Sequence, residues 1–143
     1  MKKIVLFVAT AFGFLTAAAD NVMIQTPNTS MVIKADKGQE LRQLYYGDRI
    51  SDAEADQLEA SGISLNTAAY PVFGQTDMVQ LHALQVVHPD GQLVLYPTVD
   101  DVSTRKEGNG DVTCITLTDK NYPVTVKVFY KKYSSCLEYN VFF

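Results

Sequence analysis

Residues 112–143 carry the pattern that most constrains the fold, because three runs of strand-forming side chains follow one another there. Residues 112–118 are β-branched at almost every position, and the polar turn residues 119–121 come next. Apolar and polar side chains then alternate over 122–132 and again over 137–143, so each run has an apolar face. In the middle run this face consists of Val124, Val126, Val128 and Tyr130. The pattern predicts a three-stranded antiparallel meander with one buried face.

The last of these runs ends in two adjacent aromatic residues, Phe142 and Phe143. A sheet that buries one face needs further strands or a second layer to bury it against. We therefore expect the chain to be a fragment, the first part of a larger β domain. The alternative is a short, complete sandwich whose last strand closes the sheet.

Short strand patterns also occupy the first part of the mature chain. The segments are 22–26, 31–33 and 41–46, with turn residues between them. Ser51 and Glu54 then have the spacing of a capping box, and Gly62 is a helix stop signal, so one short surface helix is predicted over 52–60. The predicted fold class is all-β, an antiparallel β-sandwich with one short helix.

Three segments connect this region to the meander. Residues 70–77 mix aromatics, a proline, a glycine and one carboxylate, which is typical of a strand-edge connection or of a ligand-facing loop. A Pro-Asp-Gly turn signal at 89–91 separates the apolar runs 86–88 and 92–96, which predicts a β-hairpin. Residues 99–110 are polar and end in Gly-Asn-Gly, which predicts a flexible connection.

Residues 1–19 have the three parts of a secretory signal peptide. They begin with a basic lysine pair, continue as an apolar stretch over 4–15, and end in three alanines, with cleavage expected between Ala19 and Asp20. The apolar stretch is shorter than the about twenty residues that a permanent membrane helix needs. We therefore expect residues 20–143 to be exported, to the periplasm or the medium of a bacterium, and not to stay in the membrane.

The charge of the mature chain argues against a nucleic-acid partner. Removal of the signal would leave ten of the twelve basic residues against sixteen acidic ones, a net charge of −6 with histidine neutral. Binding to phosphates requires clustered lysine and arginine, and the sequence has no such cluster.

The cysteines, Cys114 and Cys136, belong to a chain whose export would permit a disulfide. On the predicted meander they lie two strands apart, about 9.6 Å, and bridging requires Cα atoms within roughly 7 Å. We therefore expect two free thiols, buried or half-buried, with Cys114 opposite Lys127.

No segment has the pattern of a catalytic, metal or cofactor site. The histidines, His82 and His88, lack further residues at zinc-ligand spacing and are interpreted as ordinary surface or hydrogen-bonded side chains. Asp100 and Asp101 are adjacent carboxylates whose side chains would point to opposite faces of an extended chain. We therefore assign no catalytic residue, no metal and no cofactor.

Five segments nevertheless occur in a recognisable order over nearly all of the mature chain. They are Asn28-Thr29-Ser30, residues 44–50, residues 70–77, residues 83–91, and residues 115–124 with 130–140. Together they resemble the amino-terminal domain of the α-galactosidases of glycoside hydrolase family thirty-six.

The resemblance implies that residues 20–143 are the first part of a β-supersandwich domain that precedes a (β/α)₈ barrel. In this family the barrel carries the two aspartates that act as nucleophile and acid/base in retaining hydrolysis of terminal α-D-galactosides. These aspartates are absent from this chain, so it is expected to be inactive by itself. The complete enzyme would act on oligosaccharides of the raffinose type.

The resemblance also implies one candidate substrate-binding residue, Asp77. In tetrameric members of the family the loop that matches residues 70–77 reaches the sugar site of a neighbouring subunit, where a carboxylate aligned with Asp77 can accept hydrogen bonds from sugar hydroxyls. The family has a second glycine and an arginine beside this aspartate, where this chain has Thr76 and Val79. A role in loop structure alone is the alternative for Asp77, and a homo-oligomer is a possible assembly.

A different class of function stays open beside the enzyme. A secreted, non-catalytic β-sandwich could bind a glycan or a protein. The chain has no tryptophan for stacking on sugar rings, but eight tyrosines and seven phenylalanines could substitute.

Overall fold

Two four-stranded antiparallel sheets pack face to face in the computed structural model, which describes residues 21–62, 65, 67–72, 74, 81–134 and 136–142. The first sheet consists, in order, of β1 (Asn21–Gln25), β2 (Thr29–Lys34), β3 (Arg42–Asp48) and β4 (Thr67–Ala68). The second consists of β5 (Pro97–Glu107), β6 (Gly110–Asp119), β7 (Thr125–Lys132) and β8 (Leu137–Phe142). Strand order follows chain order in both sheets, so each is a meander. The predicted all-β sandwich is confirmed.

The predicted carboxyl-terminal meander is present as β6, β7 and β8. Val126, Val128 and Tyr130 of β7 are buried, and Thr125 and Lys127 on the opposite face are exposed, as the alternation predicts. Burial and the nearby Tyr139 raise the pKa of the Tyr130 hydroxyl well above its usual range.

The register of this meander differs from the expected one. Cys114 lies opposite Phe129 instead of Lys127, because the turn after β6 spans residues 120–124 and is closed by a bond from Asp119 N–H to Val124 O, 3.0 Å. Both thiols are free, and Cys114 is buried. Cys136 was expected to be at least half-buried, and this is wrong: it is exposed in the turn between β7 and β8.

The core lies between the inner faces of the two sheets. Each sheet contributes fully or almost fully buried apolar side chains, and Ile33 on β2 and Ile115 on β6 have no exposed surface. The segments that connect the sheets complete the layer with Tyr70, Val72 and Leu95. Removing one large apolar side chain from water contributes about 1.5 to 3 kcal/mol, so this shared layer is the main force that joins the sheets.

A second, smaller cluster covers the outer face of the first sheet. Val32 and Leu44 pack there against Ala55 and Leu58 from the helical segment. A bulge between β2 and β3 follows Val32 and separates this outward set from the inward Ile33. The helices are therefore anchored by apolar contacts.

The single predicted helix is two short ones, α1 (Asp52–Asp56) and α2 (Leu58–Ser61). The capping box is confirmed, since Ser51 accepts from Glu54 N–H and the Glu54 side chain accepts from Ser51 N–H. The stop at Gly62 is confirmed by its left-handed φ of 68°. The break between the helices at Gln57 was not predicted.

Two predictions for the connecting segments are wrong. Residues 99–110 are not a flexible connection but include most of β5, an eleven-residue strand whose side chains are mostly exposed. Pairing with β6 along one side of its backbone holds this edge strand in place, so the strand needs no apolar alternation. The hairpin predicted over 86–96 is only a tight turn, in which His88 N–H donates to Gln92 O over 2.9 Å, without regular strands on either side.

The predicted signal peptide, residues 1–19, lies outside the described residues. No helix in the described part of the chain is long and apolar enough to cross a membrane.

Replacing Ile115 by alanine tests the core. Ile115 has no exposed surface at the centre of the interlayer contact, so Ile115→Ala should lower the free energy of unfolding by about 2 to 5 kcal/mol in chemical denaturation. Val87, which is 72% exposed, supplies the matched control, because Val87→Ala should change the free energy of unfolding by no more than about 0.5 kcal/mol. Equal effects of the two changes would contradict this packing.

Candidate ligand-binding cleft

A cleft of about 270 Å³ lies at one end of the sandwich. It is formed by the turn between β2 and β3, by Gly74, by the entry to β5, and by Lys120 in the turn after β6. Its lining residues are Gly38, Gln39, Glu40, Gly74, Tyr96, Pro97, Thr98 and Lys120. The cleft therefore collects residues from four separate parts of the chain.

Backbone hydrogen bonds hold the first wall of the cleft against the second sheet. Gly38 N–H donates to Val99 O over 2.7 Å, and Val99 N–H donates to Gln39 O over 2.8 Å. Gly38 adopts a φ of 78°, which glycine reaches without strain. The turn between β2 and β3 is thus fixed to the start of β5.

Tyr96 is the aromatic side chain of the cleft and is 47% exposed. Its backbone N–H donates to a carboxylate oxygen of Asp119, which ties it to the turn that carries Lys120. The same cleft is also lined by Gln39, Glu40, Thr98 and Lys120, whose side chains carry an amide, a carboxylate, a hydroxyl and an ammonium group. An apolar ring surface surrounded by hydrogen-bonding groups is suited to a polyhydroxylated ligand such as a sugar.

Glu40 is already engaged in an ion pair. Its carboxylate lies 2.6 Å from Arg42 Nη1, and both side chains are about one-quarter exposed. The pair orients the Glu40 carboxylate, whose remaining lone pairs can accept further hydrogen bonds.

Gly74 makes the closest backbone approach in the cleft. A Cβ atom at this position would lie 2.4 Å from Val94 Cγ1, and its φ of 103° is strained for any other residue. This glycine belongs to the loop over residues 70–77 that sequence reasoning identified as a strand connection or ligand-facing loop. Tyr70 and Val72 of the same loop are buried in the core, so its first part is structural.

An aromatic network holds residues 88–92 against the turn after β6. The rings of His88 and Tyr122 stack with centroids 3.5 Å apart and planes 7° apart. The Tyr122 hydroxyl donates to Asp90 over 2.8 Å, and Asp90 also accepts from Gln92 N–H over 3.0 Å. These contacts dock residues 88–92 on the same turn that carries Lys120.

The hydrogen bonds of this network shift the pKa values of its acids. The Gln92 N–H and then the Tyr122 hydroxyl hold the pKa of Asp90 below its ordinary value of 3.8. The same contact with Asp90 raises the pKa of Tyr122. Both shifts favour a carboxylate that accepts and a phenol that donates.

His88 differs from the interpretation made on the sequence. It is only 5% exposed, and within the described part of the chain its Nε2 atom has no hydrogen-bond partner. The stack with Tyr122 accounts for its burial, whereas His82 is exposed. The sequence gives no sign of the stack, because its two residues are far apart along the chain.

The other candidate residues do not meet in a site. Asp77 lies outside the described residues, and so do Thr76 and Val79. Asp100 and Asp101 are both exposed on β5, and Asp100 makes an ion pair with Lys37 over 3.7 Å. In the described ranges no group of three or more histidine, cysteine, aspartate or glutamate side chains could hold a metal ion.

Comparison with solved structures relates this fold to α-galactosidases. A variant of the family GH36 enzyme AgaA from Geobacillus stearothermophilus in complex with raffinose superposes with a TM-score of 0.68 and 18% identity, over 85% of this chain and 21% of that one. A second AgaA variant, in complex with stachyose, gives 0.66 and 16% over the same shares. The α-galactosidase from Lactobacillus brevis gives 0.59 and 17%, over 78% of this chain and 19% of the enzyme.

These likenesses establish the fold, and this chain spans about one-fifth of each enzyme's length. The sequence matches no protein-family model and no curated protein. The structural comparison agrees with the resemblance that the ordered segments of the sequence indicate. The chain has the fold of a part of the family GH36 α-galactosidases.

Asp90 provides a pH-dependent test of the aromatic network. Because its folded pKa lies below 3.8, its contribution to stability should be complete above that pH and should be lost as the pH falls through the folded pKa. The melting temperature of the Asp90→Asn variant should therefore lie below wild type at neutral pH and approach it in acid. Asp101→Asn, at an exposed carboxylate, is the matched control, and an equal response of both variants would contradict the network.

Proposed function

We propose that this chain is the amino-terminal, non-catalytic part of a retaining α-galactosidase that a bacterium exports. In this proposal a following (β/α)₈ barrel carries the two catalytic carboxylates, and the whole enzyme hydrolyses terminal α-D-galactosides in oligosaccharides. The β-sandwich contributes structure and a sugar-contacting loop.

The observation that carries the proposal is the extent of the structural likeness. Both sheets take part, since 85% of this chain superposes on an α-galactosidase in complex with raffinose. The ordered motif series supports the same relationship independently, because it depends on side chains and not on backbone geometry. This chain spans about one-fifth of each enzyme's length, which favours a non-catalytic role beside a separate catalytic domain.

A retaining mechanism requires two carboxyl groups about 5 to 5.5 Å apart on either side of the scissile bond. In barrel enzymes these groups come from the ends of the barrel strands. The adjacent pair Asp100 and Asp101 does not meet this need, because both lie on one exposed edge strand and Asp100 is paired with Lys37. We therefore assign catalysis to the barrel.

The proposal gives the loop at residues 70–77 its role. Gly74 of this loop lines the same cleft as the exposed ring of Tyr96. Asp77 would follow it and accept hydroxyl groups of an α-galactoside, toward the active site of a neighbouring subunit in a homo-oligomer. The signal sequence over residues 1–19 would place this enzyme in the periplasm or outside the cell.

The reading frame beyond Phe143 tests the enzyme proposal directly. A frame that continues into a (β/α)₈ barrel supports it, whereas a stop codon directly after Phe143 contradicts it. The chain alone should release no nitrophenol from a nitrophenyl α-galactoside, and the protein extended through the barrel should release it. Hydrolysis by the chain alone would also overturn the proposal, since the carboxylates would then have to lie within it.

The second candidate is a secreted sandwich that binds glycans without catalysis, and the cleft around Tyr96 favours it. A single aromatic platform beside hydrogen-bonding groups is enough to bind a sugar weakly. This function needs no barrel, so it is compatible with a stop codon after Phe143.

Tyr96→Ala tests the cleft under either candidate. It removes the exposed ring, and loss of one stacking contact should weaken binding of raffinose about tenfold, on the scale of a 1.4 kcal/mol change. Binding is measured by chemical-shift titration. Tyr46→Ala is the matched control, because Tyr46 is also exposed but lies outside the cleft; equal affinity of both variants would exclude this cleft as a sugar site.

A further inference from the structure

Four strands lie at the edges of the two sheets, namely β1, β4, β5 and β8. Unpaired strand edges recruit other strands, and proteins usually block them with short length, proline, charge or a bulge. β4 has only two residues, and β5 begins with Pro97, contains a bulge after Val99 and carries charges along its length. These two edges are protected.

The edge of β1 has none of these devices. Its sequence, Asn-Val-Met-Ile-Gln, has no charge and no proline, and its pairing with β2 is regular over all five residues. Valine and isoleucine also favour extended structure. Within the described ranges, no backbone group bonds to its outer side.

The backbone groups that face outward on β1 follow from the hairpin with β2. Thr26 N–H donates to Thr29 O over 2.9 Å, so this pair exchanges hydrogen bonds, and the pairs of an antiparallel ladder alternate from there. Ile24 and Val22 therefore bond to β2. The amides and carbonyls of Asn21, Met23 and Gln25 point away from it, toward the open edge.

A groove of about 460 Å³ runs beside this edge. All five residues of β1 line one side, and the other side is formed by Val102, Thr104 and Thr113 with the Asp111–Lys132 ion pair, 3.8 Å. The groove exists because β5 and β6 have eleven and ten residues and β1 has five. There is room beside β1 for an added strand.

An unpaired acceptor also lies in the groove. The Oδ1 atom of Asn21 is buried and has no hydrogen-bond partner among the residues that the structure describes. Buried polar atoms are rarely left unpaired, so a donor supplied from outside the chain would remove a cost in free energy.

We propose that β1 pairs with β1 of a second copy of this chain, antiparallel, about a twofold axis at Met23. This register places Asn21 opposite the partner's Gln25, Val22 opposite the partner's Ile24, and Met23 opposite the partner's Met23. Polar residues thus meet polar residues, apolar residues meet apolar residues, and no charges are opposed.

The backbone geometry fits the same axis. The three residues that point outward, Asn21, Met23 and Gln25, pair only with one another in this register, so every outward amide meets an outward carbonyl. A twofold axis perpendicular to the sheet also keeps the inward side chains, Val22 and Ile24, on the same face in both copies. The first sheet of one copy and the first sheet of the other thus join into one continuous sheet.

The chemistry of the groove favours a strand over an oligosaccharide. Its described lining residues carry hydroxyl, amide and charged groups, and none of them has an aromatic ring on which a sugar could stack. An uncharged edge with alternating side chains instead fits a polypeptide strand, and β1 itself is complementary to β1.

Amide hydrogen exchange on protein purified from cells expressing the full chain tests the pairing without any substitution. The amides of Val22 and Ile24 should be protected at every protein concentration, because they bond to β2. The amides of Asn21, Met23 and Gln25 should become protected only as the concentration rises, together with a doubling of the mass in light scattering. Protection of the outward amides in a monomer would show instead that another segment covers the edge, and would overturn the proposal.

Charge substitutions at the proposed axis give a second test. Met23→Lys or Met23→Glu places like charges directly opposite each other across the axis, so each variant alone should lose the dimer. Mixing the two variants should restore a species of twice the chain mass, because unlike charges then meet. Far-ultraviolet circular dichroism checks that both variants fold, and a mixture that stays monomeric, or single variants that still dimerise, would refute the axis.

Phe142→Lys is the matched control on the remaining sheet edge, that of β8. Phe142 is 62% exposed on β8, in the second sheet. The proposal expects this variant to form the same dimer as wild type. A dimer that Phe142→Lys dissolves and the Met23 variants leave intact would assign the contact to β8 and overturn pairing through β1.

Discussion

The two backbone hydrogen bonds between Val99 and the turn at Gly38 and Gln39 are the constraint on which the rest of the structure depends. Apolar burial brings the two sheets together, but it is non-directional and allows the layers to slide. The hydrogen bonds remove this freedom at one corner, and each contributes about 0.5 to 1.5 kcal/mol. They also determine where the cleft forms, because both of its main walls meet there.

The two sheets differ in the lengths of their strands, so the sandwich is asymmetric. The hairpin of β5 and β6 in the second sheet is about twice as long as β1, so one layer projects past the other and leaves a groove beside the first sheet. On the outer face of the second sheet, Phe129 packs edge-on against Phe142 at 5.4 Å, with Arg105 over the Phe129 ring at 5.9 Å. The sandwich therefore has three different kinds of surface, namely a polar cleft, a strand edge and an aromatic patch.

The cleft depends on contacts made elsewhere. Tyr96 and Lys120 are positioned through Asp119, whose carboxylate accepts from the amides of Tyr96, Asn121 and Tyr122. Tyr122 then carries the stack with His88. One carboxylate therefore joins the cleft to the buried histidine, so the positions of both respond to the same turn.

What the sequence by itself determined was the local pattern. Alternation located β7 and its buried face, the capping box located the start of α1 at Ser51, and Gly62 located the helix stop. These features depend on neighbouring residues, whose spacing is visible in the chain. The resemblance to α-galactosidases was also visible there, as an ordered series of segments, before any backbone was compared.

Only the tertiary structure decided the features that join distant residues. The polar residues 99–107 form a strand because β6 offers them a ladder, and local composition carries no record of that partner. The stack of His88 on Tyr122, the burial of one cysteine and the exposure of the other, and the wall shared by Gln39 and Tyr96 depend in the same way on register and packing. Residues far apart in the chain meet only when both sheets bury their inner faces together and the hydrogen bonds at Val99 fix the two layers, and no local preference sets the distances between them.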